Sequence, residues 1–533
     1  MATKLSQYRI KSFVGGLNSF ANKTNIKDEE SPDMLNMDFV GLRGIKKRNG
    51  YTVLDDEVVN GKAITGIFTY IKADGTYELL CSAGTNIYKW DGSTWGAVSG
   101  GTITDGATVN TAQLGDRLWI CTGQDALQYY DGSTLSTTGI DLNDSEPVNP
   151  SICFTYGKRL VTNSTTAGNE DRFYIGGRIA DDGTTTHTGD FDVDSPSYGA
   201  AAGYGKGKRI AGFATLKNYL YVFLQSGEIH QVSYSGGETG ALTLADSVVS
   251  DTIGAVNQRS IRIIENDILF VWYDGVYTFG EVANFTNYRT KIISQKIDNL
   301  YMSIDRAYLS RIFIIYFNQR IYVFYRDSGT YNNAVLVFDT RYKSWLKWGS
   351  INADSACILK DTSREHLYFG SSDSSDSYVY ELEQGTSDNN VAITSKYLTK
   401  CFDMGEFSQL KLYFDSRMLF GPVLGTVNIT AYISDGSDTF TATTGTTSSY
   451  CDGLGSRMLG DHMLGADYNT PDGTDLDNPS NDYRVFNLDA IEGSNIQWEF
   501  SNNVLNENFQ IEEIIGYFKP LTDRYVASGK EIT

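Results

Sequence analysis

A chain of 533 residues with a net charge of −21 is too long for one simple core and too acidic for general attraction to nucleic acid or anionic membranes. Its 41% hydrophobic residues exclude wholesale disorder, and no apolar run approaches the roughly 20 residues of a membrane-spanning helix. The N-terminus lacks the apolar core of a signal peptide. Six widely separated cysteines without a CxxC pair indicate buried thiols and synthesis in a reducing cytoplasm.

The first element in chain order is a polar, turn-rich segment over residues 1–60 that carries spaced apolar side chains. Within it, "SPDMLNMDF" predicts one short helix, because Ser31 suits the N-cap and Pro32 suits the first helical position. A compact basic cluster follows at residues 46–48, which either pairs with an acidic neighbouring subunit or forms a solvated turn. Such a segment is either a flexible leader or an arm that docks on another surface.

Residues 61–388 carry a loose repeat of apolar strands and turns. Each unit ends in an aromatic residue, Asp and Gly, as in "KWDGST" and "YYDGST". Repeats of roughly 40 residues with four strands each are typical of β-propellers. We predict an all-β fold with a β-propeller-like core of five or six blades and an inserted loop at residues 165–205. A tandem β-sandwich is the structural alternative.

Residues 389–533 show a different pattern of longer strands, which predicts a C-terminal β-sandwich. Two similar stretches interrupt it, "SRMLFGPVLG" at residues 416–425 and "SRMLGDHMLG" at residues 456–465. Exposed Met and Leu side chains are unfavourable in water, so these loops either pack on their own domain or meet another chain. The residues concerned are Met418, Leu419, Met458, Leu459, Met463 and Leu464.

No catalytic or ligand-binding motif stands out. The four histidines lack metal-binding spacing, there is no GxSxG elbow, and "GYGKGKR" lacks the spacing of a phosphate-binding loop. "DGSTW" at residues 91–95 departs from the Asp-box of sialidase-like propellers, and a turn explains it better. "DGTDLD" at residues 472–477 could hold Ca²⁺, but a polar turn is favoured. We therefore expect a structural or binding protein with no enzymatic activity, no cofactor and no metal.

Residues 13–51 resemble the N-terminal signature of a class of bacteriophage virion proteins. In that class a Gly-Gly-Leu-Asn start is followed by an "ESPDxxNxDF" segment and a basic "KRxGY" segment, which match residues 15–18, 30–39 and 46–51 here. "ITSKYLTKCFDMGE" and "FQIEEIIGYFKPL" look like the last domain of the same proteins. The resemblance is to the tail nozzle, or tail tubular protein B, family of short-tailed phages.

The resemblance implies a non-enzymatic tail protein of the virion, made in the cytoplasm of the host bacterium. Six copies would form a ring below a tail adaptor or portal-proximal ring, conduct the genome and attach tail fibres that reach the host cell surface. DNA would pass without specific binding, and acidic walls suit this because basic contacts would hold the phosphates. A glycan-binding receptor-recognition protein is the first alternative, and a glycan-cleaving propeller enzyme is the second.

In this setting residues 1–60 are predicted to be a docking arm that lies across a neighbouring subunit or the ring above it. The predicted interface residues are Leu17, Phe20, Met34, Leu35, Phe39, Lys46, Lys47 and Arg48. The Met/Leu loops would either gate the tube or seal an interface.

Overall fold

Short antiparallel strands joined by tight turns form most of the chain, as expected for aromatic and β-branched residues between Gly and Asp turns. The computed structural model describes residues 5–54, 56–138, 140–141, 147–178, 189–190, 198–203, 208–235, 243–264, 266–281, 288–406, 408–421, 425–434, 440–448 and 483–525. Its helices are the 3₁₀ helices Gln258–Ser260, Gln295–Ile297 and Arg306–Arg311 and the α-helix α1 Asp298–Met302. Within these ranges, no helix has the length and apolar character needed to cross a membrane.

The N-terminal segment forms seven short strands, most of which pair with distant parts of the chain. They are β1 Ser6–Ile10, β2 Gly16–Leu17, β3 Glu30–Ser31, β4 Asp33–Leu35, β5 Met37–Val40, β6 Gly44–Lys47 and β7 Gly50–Val53. The predicted helix at residues 31–39 is therefore wrong. Between β4 and β5, Asn36 adopts a φ of 53°, which breaks any helix. Long-range strand pairing outweighs the local capping signals of Ser31 and Pro32.

Seven four-stranded antiparallel sheets, here called blades one to seven, follow one another in the described part of the chain. Blade one contains β8 Ile64–Ile71, β9 Tyr77–Ala83, β10 Asn86–Trp90 and β11 Trp95–Ala97. Blade two contains β12 Asn110–Leu114, β13 Arg117–Cys121, β14 Gln128–Tyr130 and β15 Leu135–Ser136. Blade three contains β17 Cys153–Tyr156, β18 Arg159–Asn163, β19 Arg172–Arg178 and β21 Tyr198–Ala201. A separate parallel pair consists of β16 Ile140–Asp141 and β20 Gly189–Asp190.

Blades four to seven have the same plan. Blade four contains β22 Ile210–Leu216, β23 Tyr219–Leu224, β24 Glu228–Ser235 and β25 Thr243–Ser250, and blade five contains β26 Ile261–Ile264, β27 Asp267–Trp272, β28 Gly275–Glu281 and β29 Tyr288–Ile292. Blade six contains β30 Phe313–Phe317, β31 Arg320–Tyr325, β32 Ala334–Asp339 and β33 Ser344–Gly349. Blade seven contains β34 Ala353–Lys360, β35 Glu365–Ser371 and β36 Val379–Gln384, and β7 is its fourth strand.

The blades close into a ring. The first strands of successive blades contact one another around the axis, and β34 of blade seven packs against β8 of blade one. Blade seven takes its outermost strand from the N-terminal segment, since β7 pairs with β36 and places Thr52 opposite Glu381. The predicted β-propeller is confirmed, but with seven blades in the described residues rather than five or six. The expected insert at residues 165–205 instead supplies β19 and β21 of blade three.

The C-terminal part forms two sheets that pack on each other as a β-sandwich. Its strands are β37 Ser395–Leu398, β38 Gln409–Phe420, β39 Thr426–Ser434, β40 Phe440–Ser448, β41 Tyr483–Phe486, β42 Ile491–Gly493, β43 Asn495–Asn502 and β44 Gln510–Tyr525. The N-terminal strands β1, β5 and β6 join the sheet of β38 and β44, while β4 joins the sheet of β37, β43, β39 and β40. Both ends of the chain therefore build the sandwich.

One apolar core continues from the sandwich into blades five, six and seven. Phe13 contacts Tyr397 edge-to-face with 5.5 Å between ring centroids, and the indole of Trp348 donates to the Met37 carbonyl at 2.8 Å. The N-terminal segment thus lies between the propeller and the sandwich and packs on both. The five cysteines of the described ranges are buried free thiols, as predicted, and Cys451 lies outside those ranges.

Candidate functional site at the joint between propeller and sandwich

The residues of the N-terminal signature meet at the contact between the propeller and the sandwich, here called the joint. The Gly-Gly-Leu-Asn start lies against β33 of blade six. Gly16 has a φ of 71°, and a Cβ on it would lie 2.6 Å from the Trp345 carbonyl oxygen. Only glycine fits that conformation and that distance. The close approach explains why this turn requires glycine.

Asn36 is the centre of the joint. Its amide oxygen accepts from Arg48 Nε at 2.9 Å and from the Gly349 N–H at 2.8 Å, and its amide nitrogen donates to the Thr394 carbonyl at 2.7 Å. The left-handed backbone of this residue is one that Asn tolerates better than most side chains. One buried side chain therefore links the signature, blade six and the start of the sandwich.

Arg48 forms a buried ion pair with Asp388. Its guanidinium donates through Nη1 to Oδ1 at 2.8 Å and through Nη2 to Oδ2 at 2.6 Å, and Nη2 also donates to the Gly349 carbonyl at 3.1 Å. The guanidinium carbon lies 5.8 Å from the ring centroid of Trp348. Burial raises the pKa of Asp388 despite the opposing charge of Arg48. The forked geometry holds the two residues in one relative orientation.

Lys47 lies on the sandwich side of the joint. Its ammonium donates to Asn502 Oδ1 at 2.8 Å and to the Val504 carbonyl at 3.2 Å. Burial, together with the neighbouring charge of Arg48, lowers the pKa of Lys47 to about 8. Adjacent residues of one basic segment thus point to opposite partners, Arg48 to the propeller and Lys47 to the sandwich.

A second ionic cluster connects β5 to blades six and seven. Arg320 on β31 lies 2.8 Å from Asp38, 3.0 Å from Glu383 and 3.5 Å from Asp339. Tyr322 donates to Glu383. Burial opposes the charge of Arg320, but the surrounding carboxylates outweigh it and raise its pKa. These ion pairs connect β5 to strands of blades six and seven, which is a structural role.

Most of the predicted interface residues contact their own chain. Those with buried side chains are Leu17, Met34, Phe39, Lys47 and Arg48, and those with half-buried side chains are Leu35 and Lys46. They fill the joint because β4, β5 and β6 are strands of the sandwich, so they are not free anchors for a neighbouring subunit. Phe20 is different, since its side chain is 53% exposed.

The first predicted Met/Leu loop is in part a strand. Met418 and Leu419 lie on β38, and side chains alternate between the two faces of a strand. Met418 is therefore buried in the sandwich core and Leu419 is half-buried, so this stretch packs on its own domain, which is the first of the two alternatives. Met458, Leu459, Met463 and Leu464 lie outside the described residues.

Three residues of the joint were missed from the sequence, namely Asn36, Asp388 and Arg320. Asn36 gave a weak signal, since it is a polar residue between apolar neighbours in "MLNMDF" and Asn is enriched in left-handed turns. Asp388 stands in the turn-like "GTSDNN", and nothing local marks it as the partner of Arg48, 340 residues away.

The Asp-Gly turns of the repeat are structural, as predicted for residues 91–95. The Asp91 carboxylate accepts from the backbone N–H groups of Ser93 at 2.8 Å and Thr94 at 2.7 Å, and these bonds lower the pKa of Asp91 to about 2. Asp131 holds the same turn in blade two. Within the described ranges, no group of three or more His, Cys, Asp or Glu side chains is arranged to hold a metal ion.

Comparison with known proteins identifies no family. No protein-family model matches the chain, and no curated protein matches it either. Among solved structures, the computationally designed Ika8 protein is 11% identical with a TM-score of 0.36, covering 62% of this chain and 99% of its own. YCF48 from Cyanidioschyzon merolae is also 11% identical with a TM-score of 0.36, covering 61% of this chain and 97% of its own. Likeness at this level carries no argument about function.

Proposed function

We propose that this chain is a non-enzymatic structural component of a bacteriophage tail, with the nozzle or hub ring as its specific position. The main support for the proposal is that the residues of the N-terminal signature are the same residues that form the joint. The residues that resemble the phage virion proteins, among them Asn36 and Arg48, fix the sandwich to the propeller through buried polar contacts. A particle that ejects its genome under load needs subunits whose parts do not move against one another.

The charge of the chain is consistent with a DNA conduit. At a net charge of −21, a ring of such subunits repels phosphate on average. Because each Lys or Arg contact with a phosphate adds affinity for DNA, a wall with few such contacts would not hold the genome back. In the proposed ring, six copies enclose the conduit between a portal-proximal ring and the fibres. The propeller and sandwich then act as rigid building blocks of the wall.

Quantitative peptide mass spectrometry of purified virions tests this proposal. The measurement is the copy number of this chain relative to the portal protein, with another tail protein of known copy number as the control. About half the portal number is the result expected of a six-membered ring on a portal with twice as many subunits. Equality with the portal would indicate an adaptor-like ring, a larger multiple of three would indicate fibres, and absence from the particle would overturn the proposal.

A further inference from the structure

A cavity of about 380 Å³ lies on the axis of the propeller. Residues from the first strand of every blade line it. The cavity is distinct from the joint, and neither the signature nor the proposed tail function accounts for it.

Two arginines enter this cavity from the same side. Arg259 belongs to the 3₁₀ helix before β26, and Arg262 belongs to β26 itself. Each is fixed by part of its guanidinium, because Arg259 Nη1 donates to the Asp354 carbonyl at 2.6 Å and Arg262 Nε donates to the Ile314 carbonyl at 2.8 Å. Arg262 Nη1 also donates to the Ile261 carbonyl at 3.5 Å. The other guanidinium nitrogens are not among the buried atoms that lack a partner, and both residues line the cavity.

The two positive charges are not neutralised at close range. Within the described parts of the chain, neither guanidinium forms an ion pair with a carboxylate, although the charge of Asp354 acts on Arg259. Burial and the neighbouring charge of Arg259 lower the pKa of Arg262 to about 10. Two like charges held together in a half-enclosed space are unfavourable unless an anion joins them.

We propose that the axial cavity binds a small oxyanion, a carboxylate or a phosphate, between Arg259 and Arg262. Arginine suits this ligand because its planar fork matches two oxygens of a carboxylate or phosphate. Phe313, whose ring centroid is 5.8 Å from the Arg259 guanidinium carbon, borders the site and gives room for an apolar body on the ligand. The site is independent of the proposed tail function.

Isothermal titration of the full chain with inorganic phosphate and with acetate, against chloride at equal ionic strength, tests the proposal. We expect saturable binding of at least one oxyanion, and at least about tenfold weaker binding for Arg262→Gln, since a hydrogen bond to a charged group contributes about 1.5 kcal/mol or more. Arg262→Lys should be intermediate, because it keeps the charge and loses the fork. Arg364→Gln, outside the cavity, is the matched control and should bind as the unsubstituted chain does.

The result separates the ligand classes. Binding of phosphate alone assigns a phosphate-bearing ligand, binding of acetate alone assigns a carboxylate, and binding of both assigns a general oxyanion site. If Arg262→Gln fails to fold by near-ultraviolet circular dichroism, Arg259→Lys takes its place and should weaken binding several-fold, because it keeps the charge and loses the fork. No saturable binding to the unsubstituted chain up to about 10 mM, or unchanged binding in the folded variants, would overturn the proposal.

Discussion

At the scale of single residues, the joint depends on polar side chains that are buried and fully paired. The Arg48–Asp388 pair is withdrawn from water, and the guanidinium has carbonyl partners as well as the carboxylate. Such a pair adds little to the free energy of unfolding when compared with apolar packing of the same volume. Removal of one partner, however, leaves the other charge buried and unpaired. Substitution of one partner alone is therefore expected to lower the free energy of unfolding strongly.

Asp388→Asn should lower the free energy of unfolding by about 3 kcal/mol or more, because Arg48 stays buried without its counter-charge. Asp33→Asn is the matched control. Asp33 pairs with Lys396 at 2.5 Å, but Asp33 is exposed and Lys396 is partly exposed, so the loss of this pair should stay below about 1 kcal/mol. Urea unfolding followed by tryptophan fluorescence measures both. Equal losses in the two variants would contradict the assigned role of the buried pair.

His230 in blade four makes stability depend on pH. Burial disfavours its charged form, but hydrogen bonds with Asp246 at 2.9 Å and Glu228 at 3.2 Å outweigh burial and raise its pKa above the usual 6.5. Lys208 pairs with Glu228 at 2.5 Å. A raised pKa means that this stabilisation is complete below about pH 6.5 and is lost as pH rises through the raised value.

We therefore expect the free energy of unfolding to fall as pH increases above about 6.5 and through the raised pKa of His230, and His230→Gln to remove that part of the slope. Unfolding in urea at a series of pH values measures it. The same slope in the variant and in the unsubstituted chain would assign the pH dependence to another group.

At the scale of elements, the sequence could predict what is local. The "WDGST" and "YYDGST" turns reveal a repeat because each Asp bonds to residues two and three positions later. The blade count was too low because residues 165–205, expected to be an inserted loop, supply β19 and β21 of blade three. The pairing of distant strands was missed as well. Strand β7 completes blade seven from the other end of the chain, and β4, β5 and β6 enter sheets whose other strands lie hundreds of residues away. No periodicity in one stretch can show such pairing.

Closure of the propeller by β7 depends on Gly50, where the chain passes beside residue 387. A Cβ on Gly50 would lie 1.8 Å from the Ser387 carbonyl oxygen, so Gly50→Ala should push β7 away from β36 and destabilise the protein by about 2 to 3 kcal/mol. Gly96→Ala on β11 is the control, because open space surrounds that position, and its effect should stay within about 0.5 kcal/mol. Thermal and urea unfolding measure both. A tolerated Gly50→Ala would show that closure by β7 contributes little.

At the scale of the whole molecule, propeller and sandwich are one mechanical unit. The apolar core runs through both, and the N-terminal segment crosses the boundary several times before it closes the propeller. Removal of residues 1–50 would therefore delete strands of the sandwich and the segment that connects them to β7 of blade seven. Such a truncation cannot test a docking arm separately from the fold. The surface must be tested by single exposed residues.

Phe20 is the predicted anchor whose side chain remains 53% exposed, on a turn held by the Ser19 N–H bond to the Lys296 carbonyl at 2.9 Å. If this turn contacts a neighbouring subunit or ring, Phe20→Asp should abolish ring assembly and incorporation into virions while the unfolding free energy changes by less than about 0.5 kcal/mol. Tyr273→Asp, at an exposed aromatic in the β27–β28 turn of blade five, is the control and should assemble. Mass photometry of the purified chain and peptide mass spectrometry of virions measure the two readouts. A folded Phe20→Asp variant that assembles like the control would exclude this turn from the interface, because a buried carboxylate at a subunit contact is too unfavourable to pass unnoticed.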